Sequence, residues 1–409
     1  MYKSHNISGK DKWFVIVSFV YILYVIFPLF ADLTQIQVQI PALLVVIYVA
    51  IAYPGTFTSK PVLWLVAYIA VLLVYTLLGK PIHINGTSEM LPTMWRITIE
   101  AAWIMPALLI GMILFKKNDA RLYRIIGYGS IFLLILSFFY ILPIITISSN
   151  ILRADIYHES LDLPMGLPGY DLMHSYTLML VPLCYMVKNT SGRYRLISLS
   201  VCVLFIYIII KTYVTTSLAV GVMVVVLSII YNEKRTSITI FGILLSILLI
   251  ILLYQTGFFM WLVDALLPLF DGTAVQPKLE GLKESMRIGS LTGGHITGRI
   301  GLHSISKQSF LENPLFGGGE IGGHSKILDI LGRSGLVVFI PFAATLWTMF
   351  RVQYNRPINK NTKVFIGLVY LAALIYLYQK GIFGAPGFLF MFVLAPSAIM
   401  AFDLRDNRG

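Results

Sequence analysis

Charged and titratable side chains concentrate between residues 299 and 335 of a chain that is otherwise largely apolar. They include Arg299, Lys307, Glu312, Glu320, His324 and Arg333. Two glycine clusters, residues 317–319 and 322–323, precede His324. Glycine permits positive φ and a close approach of backbone to ligand, which suits a binding loop better than a helix interior. An apolar run begins at Ile327, so we expect His324 at or near the start of a buried helix, and we expect chemistry in this segment.

Histidine and arginine together indicate one kind of reaction. Imidazole can take a proton from a hydroxyl near neutral pH, and guanidinium binds phosphate oxygens with a fork of donors. The pair suits transfer from a phosphate or diphosphate donor to a hydroxyl. Other interpretations remain open at this point. Arg299 could be a solvated loop charge or a membrane anchor, His324 a helix-start residue that hydrogen-bonds backbone, and Lys211 an anchor at a membrane interface.

Several other kinds of site are not supported by the sequence. The glycine-rich stretch lacks the Lys-Ser/Thr of a phosphate loop and follows no predicted strand, which argues against nucleotide binding. The histidines His295, His303 and His324 have no regular metal-ligand spacing, so we expect no metal and no cofactor. No Gly-x-Ser-x-Gly motif of a serine hydrolase occurs.

The composition is that of a membrane protein. Of 409 residues, 57% are hydrophobic and only 12% are charged, with a mean hydropathy of +0.81. Long uncharged runs of this kind predict membrane spans. The net charge of +12 is dispersed between apolar runs, so it favours contact with membrane lipids and predicts no nucleic-acid partner. Cys184 and Cys202 lie inside apolar runs and suggest neither a disulfide framework nor a thiolate metal site.

Apolar runs of roughly 17–25 residues predict an all-α, polytopic fold with about twelve transmembrane helices. The predicted spans are 13–30, 37–53, 62–79, 97–115, 125–147, 171–187, 196–211, 213–231, 237–256, 326–350, 364–380 and 382–403. The first follows a basic N-terminus without a small-residue cleavage site, so it is predicted to be retained. The chain then divides into spans one to nine (1–256), a large loop (257–325) and spans ten to twelve (326–409).

The distribution of Lys and Arg gives this topology an orientation. With the N-terminus inside, 19 of the 31 basic residues fall in cytoplasmic segments, as the positive-inside bias requires. Both termini are then cytoplasmic, and a shorter loop near 148–170 and the large loop lie on the opposite face. The large loop holds enough apolar residues to pack as an ordered cap. Within it, Gly298–Leu311 predicts an amphipathic helix that Asn313-Pro314 ends.

The motifs of this segment resemble those of a known superfamily. They are Thr297-Gly-Arg299, Phe310-Leu-Glu-Asn-Pro314-Leu-Phe-Gly317, His324-Ser325 and Gly335-Leu336. In order and placement they resemble the O-antigen polymerase and O-antigen ligase superfamily over residues 297–340. The ligase pattern that starts at the histidine ends in a small or aromatic residue, and Val338 stands at that position here. In the family an arginine often follows the serine at the outer start of a mid-chain span. Here Ser217 is followed by Leu218, and Lys211 could replace the missing charge only if the short hairpin predicted around Lys211–Thr216 folds inward.

The resemblance implies a bacterial inner-membrane glycosyltransferase with a periplasmic active loop and an undecaprenyl-diphosphate-linked glycan as donor. The family's loop arginine corresponds to Arg299 and its histidine to His324. On this hypothesis Arg299 stabilises the departing diphosphate, helped by Arg153, Lys211 or Arg333. His324 accepts the proton of the attacking hydroxyl, giving inversion, and Glu320 is a reserve base. Arg153 and Gly169 also fit an arginine-to-glycine spacing described for polymerases.

Three functions remain as alternatives. We favour a polymerase of O-antigen or capsular repeat units, with a chain-length regulator as a possible partner protein. An O-antigen ligase, which would transfer glycan to lipid A core, is the alternative that the His324-Ser325 pattern supports. A non-enzymatic transporter of lipid-linked sugars is the third, although transporters tend to show internal repeats and charges within broken helices near the membrane midplane.

Overall fold

Helices account for almost every regular element in the described part of the chain. The computed structural model describes residues 8–27, 30, 35–78, 83–84, 93–147, 170–212, 214–231, 258–272, 276, 279–280, 283, 294–357, 359–379 and 384–406. The first eight helices are α1 (Gly9–Ile26), α2 (Gln35–Ala52), α3 (Lys60–Leu77), α4 (Thr93–Lys117), α5 (Ala120–Ile147), α6 (Tyr170–Asn189), α7 (Gly192–Lys211) and α8 (Thr215–Ile230).

The remaining helices surround the segment that the sequence singles out. They are α9 (Phe258–Leu266), α10 (Gly294–Glu312), α11 (Lys326–Tyr354), α12 (Lys360–Gln379) and α13, which comprises Ala385–Leu389, a π-helical turn Phe390–Leu394 and Ala395–Asp406. Short 3₁₀ turns occur at Pro54–Thr56 and Leu267–Phe270. Two strands of two residues each, β1 (His83–Ile84) and β2 (Glu320–Ile321), pair in parallel with His83 opposite Glu320.

The helices confirm the predicted all-α fold. Every predicted span that falls among the described residues coincides with a helix, whereas 237–256 lies outside them, as do residues 148–169 of the shorter predicted loop. Helix α7 ends at Lys211 and α12 ends at Gln379, and the next helices begin at Thr215 and Ala385, so these pairs of spans are separate as predicted. Among the residues that the structure describes, five helices are long and apolar enough to cross a membrane: α5, α7, α11, α12 and α13.

Apolar side chains fill the bundle and also cover much of its outside. Tyr21, Phe115, Phe205 and Phe365 are fully buried between helices. On the exterior, Ile51 is 79% exposed, and Trp13 and Phe132 are similarly open. A water-soluble protein rarely exposes apolar area on this scale, and a surface of this kind suits the hydrocarbon of a bilayer.

Polar contacts define the two ends of the bundle. At one end Asp11 of α1 binds Lys117 of α4, and Asn189 of α6 accepts a hydrogen bond of 2.6 Å from Asn361 of α12. At the other end the hydroxyl of Tyr75, close to the end of α3, binds the carbonyl oxygen of Phe316. We call this second end, which carries α10 and the pairing of β1 with β2, the loop end.

Candidate functional site

The loop between α10 and α11, residues 313–325, is here called the glycine loop. Two serines of α10 hold it. The Ser309 hydroxyl donates to the Gly332 carbonyl over 2.9 Å and accepts from the Glu320 amide over 3.0 Å. The Ser306 hydroxyl accepts from the Gly322 amide over 2.9 Å. Helix α10, predicted as an amphipathic helix ended by Asn313-Pro314, therefore serves as the support of the loop.

A buried carboxylate fixes the turn that carries His324. Asp329, in the first turns of α11, accepts hydrogen bonds from the Ser306 hydroxyl over 2.7 Å, from the Gly323 amide over 3.2 Å and from the Ser325 amide over 3.3 Å. The Ser325 hydroxyl in turn accepts from the Leu328 amide and caps α11. Both sides of His324 are thus tied to the same carboxylate, so its backbone is held in place.

The glycines serve mainly to let backbone segments pack closely. Gly317, Gly319 and Gly323 have positive φ, as a glycine-rich loop allows. However, a Cβ at Gly317 would lie 2.5 Å from the backbone of Arg333, and one at Gly322 would overlap the carbonyl of Leu302. We expected the glycines to admit a ligand, but at these two positions they admit the protein's own helices.

Two of the predicted catalytic residues are exposed on this rigid support. His324 lies exposed in the turn just before the N-cap of α11, as the sequence predicts, and Glu320 is exposed in β2. Arg299 belongs to α10, one turn before Leu302, whose backbone contacts Gly322. Its side chain lies outside the described part, so the predicted meeting of Arg299 and His324 stays a prediction.

Arg333, one of the predicted diphosphate-binding residues, is buried in a cluster of charged side chains that the sequence does not predict. We call Glu100, Lys326 and Arg333 the charge cluster. Glu100 Oε1 lies 2.8 Å from Lys326 Nζ and 4.0 Å from Arg333 Nη1. All three residues are at least nine-tenths buried, and Glu100 Oε2 accepts a hydrogen bond of 2.5 Å from the Tyr68 hydroxyl. Arg333 Nη2 is buried and has no hydrogen-bond partner among the described residues.

Of the other two predicted phosphate ligands, Lys211 lies in the described part of the chain and does not join this cluster. Lys211 is exposed at the end of α7, with its ammonium 5.9 Å from the ring centroid of Tyr207 on the same helix. That placement matches the interface anchor considered above. Arg153 lies outside the described residues.

An apolar groove runs along the outside of α11 and α12. Its volume is about 340 Å³, and Ile327, Phe342, Trp347, Tyr370 and Leu374 are among the residues that line it. Ile327 directly follows Lys326. The ring of Phe342, which also lines the groove, lies 5.4 Å from that of Tyr68, whose hydroxyl donates to Glu100. Tyr68 therefore links the charge cluster to a residue of the groove wall, while the three charged residues are not themselves among the lining residues.

Helix α11 is interrupted where the cluster ends. Gly335 has φ 62° and ψ −161°, so residues 326–334 form a half-helix of their own. The amides of Leu336 and Val337, which the break leaves without helical acceptors, donate instead to the carbonyls of Pro314 and Leu315 in the glycine loop. Lys326 and Arg333 lie in this half-helix, as the predicted span 326–350 implies, but their burial beside Glu100 was not predicted.

Glu100, Lys326 and Tyr68 were missed by the sequence analysis. A signal for Glu100 was present, because it is an acidic residue inside the predicted span 97–115, and ionisable residues within spans mark functional sites by default. Lys326 is the first residue of the predicted span 326–350 and was given no role in the site. The sequence matches no protein-family model, and it matches none of the curated proteins.

Proposed function

We propose that this protein is a polytopic enzyme of the bacterial inner membrane that polymerises undecaprenyl-diphosphate-linked oligosaccharide repeat units. The observation that carries the proposal is the charge cluster, which Tyr68 links to Phe342 in the wall of the apolar groove. A ligand that would use both has an anionic head and a long apolar chain. Guanidinium and ammonium groups bind phosphate oxygens, and the groove wall formed by Phe342, Trp347 and Leu374 suits a polyprenyl chain.

In the proposed reaction, a hydroxyl oxygen of the acceptor attacks the anomeric carbon of the donor. The bond from that carbon to the diphosphate oxygen breaks, which leaves the electron pair on the lipid diphosphate. Arg299 and Arg333, with Lys326, stabilise the charge that develops there. His324 accepts the hydroxyl proton, with Glu320 as the reserve base, and attack from the opposite face inverts the anomeric centre. The exposure of His324 on a fixed turn supports this role.

The proposed membrane arrangement has twelve spans, both termini in the cytoplasm and the glycine loop on the periplasmic side. The contacts at the two ends of the bundle support it, because they join segments that the basic-residue distribution assigns to the same side. Asp11 meets Lys117 on the cytoplasmic side, and Tyr75 meets Phe316 on the periplasmic side. A chain-length regulator remains a proposed partner.

One experiment can distinguish two alternative functions from the polymerase. A ligase would use the same donor site and transfer the glycan to lipid A core. A non-enzymatic transporter of lipid-linked sugars is favoured by a specific observation, the break at Gly335 beside buried charges, since broken helices with charges form transporter sites. The exposed His324 and Glu320 favour surface chemistry instead.

The test supplies the purified full-length protein with lipid-linked repeat units and follows the products by gel and mass spectrometry. Chain growth supports the polymerase. Transfer to added core lipid identifies a ligase, and the absence of any covalent change leaves transport. Arg299→Ala and His324→Ala should abolish product at normal membrane expression. Lys307→Ala, which removes an exposed cation from the same helix as Arg299, should retain it. Near-wild-type glycan from either of the first two variants would discard the assigned roles.

A further inference from the structure

One glycine in the wall of the apolar groove is explained neither by its backbone nor by packing. Gly367 lies in the interior of α12, and its φ is not positive. A Cβ added at Gly367 would meet no described atom within 4 Å. Glycine in the interior of a helix lowers stability relative to alanine, because it loses more conformational freedom on folding. The fold itself would thus be more stable with alanine at this position.

Glycines elsewhere in the bundle have a packing role. A Cβ at Gly111 of α4 would lie 2.6 Å from the carbonyl oxygen of Phe392, and one at Gly127 of α5 would lie 2.7 Å from the Cα of Ala398. Both glycines let α13 approach closely. At Gly367 no described neighbour comes so near, and because Gly367 lines the groove, its missing side chain deepens the groove instead.

The groove is open to the side of the bundle and extends toward the glycine loop. Trp347 of α11 and Leu371 and Leu374 of α12 line it with exposed apolar side chains, so a chain in the bilayer can enter it sideways. Ile327, which also lines the groove, lies three residues after His324 in the first turn of α11. A chain lying in the groove would therefore have its head group near the turn that carries His324.

The shape of the groove favours a branched chain over a straight one. Its volume of about 340 Å³ is within the range of small-ligand sites, and its lining is apolar. A prenyl chain carries a methyl branch on every isoprene unit, and the space above Gly367 can take such a methyl group. A straight acyl chain has no side group to place there. Burial of one methyl group strengthens binding roughly fourfold.

We propose that Gly367 is a specificity-determining residue that makes room in the groove for the methyl-branched chain of a prenyl diphosphate. This inference rests on the proposed function, because the prenyl chain is that of the proposed donor. Gly367 then selects prenyl carriers from the straight-chain lipids that surround the protein, and the groove holds the chain while its head group reaches the loop end.

The experiment measures equilibrium binding to the full-length protein in detergent. The probes are farnesyl diphosphate, dodecyl diphosphate, which has the same main-chain length without the methyl branches, and inorganic diphosphate, which has no chain. The wild type should bind farnesyl diphosphate at least about fourfold more tightly than dodecyl diphosphate. Gly367→Ala should remove this preference. Gly367→Leu, which fills the groove, should weaken binding of farnesyl diphosphate more than about tenfold, and neither variant should alter the response to inorganic diphosphate.

Thermal unfolding separates a blocked groove from a damaged fold. Alanine and leucine both favour helix, and a Cβ at Gly367 meets no described atom, so both variants should unfold at or above the wild-type temperature. Val222→Phe adds bulk to an exposed apolar position of α8 that does not line the groove. It is the control and should bind all three probes as the wild type does. If Gly367→Leu fails to fold, the single methyl group of Gly367→Ala still decides, through loss of the preference for farnesyl diphosphate.

Two other occupants of the groove would give different results. A groove that takes any lipid chain predicts equal binding of the farnesyl and dodecyl compounds by the wild type. A groove that takes a second copy of this protein predicts that Gly367→Leu loses a dimer, measured by light scattering, while its binding of farnesyl diphosphate is unchanged. Either result would overturn the proposal, as would unchanged farnesyl binding by a folded Gly367→Leu or no farnesyl binding by the wild type.

Turnover separates this inference from the proposed function. In the polymerisation assay, Gly367→Leu should raise the KM for the lipid-linked repeat unit at least about tenfold with little change in kcat, because the chain is held away from the reacting atoms. If the wild type forms no polymer while the Gly367 variants follow the expected binding pattern, the prenyl site stands and the polymerase proposal fails. If the wild type polymerises and Gly367→Leu keeps the wild-type KM, the polymerase proposal stands and the role of Gly367 fails.

Discussion

Asp11 joins three segments at the end of the bundle opposite the glycine loop. Its carboxylate accepts hydrogen bonds from the Tyr53 hydroxyl over 2.7 Å and from the Ser8 hydroxyl over 2.8 Å, and it pairs with the Lys117 ammonium. Burial by itself raises the pKa of Asp11, but the hydrogen bonds from Lys117, Tyr53 and Ser8 outweigh it and hold the pKa below the ordinary value of 3.8.

This lowered pKa predicts a pH-dependent stability. The folded state stabilises the ionised carboxylate of Asp11. Its contribution to the free energy of unfolding is therefore complete at pH values above the ordinary pKa of 3.8, and it is lost as the pH falls through the lower pKa of the folded protein. At pH 7, Asp11→Asn should reduce the free energy of unfolding by about 1 kcal/mol or less, since the pair is partly solvated. Thermal unfolding in detergent at pH 7, 5 and 3 measures the difference from wild type.

The difference between wild type and Asp11→Asn should be present at pH 7 and 5 and should shrink at pH 3. Asp271→Asn, which alters an exposed carboxylate in the turn after Phe270, is the control and should show no such dependence. A difference that stays constant down to pH 3 would mean that ionisation of Asp11 is not its source.

Single residues in the site differ in how much of their role the sequence reveals. His324 was placed correctly at the start of a helix because Ser325 and the apolar run after Ile327 are local signals. The pairing of Arg333 with Glu100 was not foreseen, since it joins α11 to α4 across a tertiary contact that no local pattern encodes. The lone carboxyl in a predicted span was the available clue.

Elements were predictable where an apolar run or a breaker residue defines them. Helices α1 to α8 follow from apolar runs, and the end of α10 follows from Asn313-Pro314. The pairing of β1 with β2 and the break at Gly335 were not predicted. Both depend on segments distant in sequence, because the amides of Leu336 and Val337, just after Gly335, donate to the carbonyls of Pro314 and Leu315, and Glu320 pairs with His83.

The close packing of the glycine loop on α10 gives a prediction for single methyl groups. A Cβ at Gly322 would overlap the carbonyl group of Leu302, whereas a Cβ at Gly301 would meet nothing within 4 Å. Gly322→Ala should therefore displace the loop and lower the free energy of unfolding by about 2 kcal/mol or more. Gly301 lies in α10 next to Leu302. Gly301→Ala should raise the free energy of unfolding by about 0.5–1 kcal/mol, since alanine favours helix.

Both glycine variants are compared by thermal unfolding and by limited proteolysis of the glycine loop. Gly322→Ala should also lose activity in the polymerisation assay, because His324 lies two residues further on. Equal stability of the two variants, or faster cleavage in Gly301→Ala than in Gly322→Ala, would contradict the packing role assigned to Gly322.

At the scale of the whole molecule, the apolar surface and the distribution of charges set the arrangement in the membrane. Basic residues favour the cytoplasmic side, and the polar contacts of Asp11 with Lys117 and of Asn189 with Asn361 tie helix ends together at the end of the bundle opposite the glycine loop. The glycine loop, the exposed His324 and α10 all lie at the other end. If the glycan donor is presented in the periplasm, this end must face it.

Cysteine labelling tests that orientation in intact spheroplasts. The native Cys184 and Cys202 lie within helices, and a Cys184→Ser/Cys202→Ser background removes them. Three exposed positions then receive one cysteine each: Thr58 in the turn before α3, Asn355 after α11, and Ser304 on α10. A membrane-impermeant maleimide should modify Ser304→Cys in intact spheroplasts, and it should modify Thr58→Cys and Asn355→Cys only after lysis. Early modification of Thr58→Cys together with protection of Ser304→Cys would place the glycine loop in the cytoplasm, where a periplasmic polymerase could not use it.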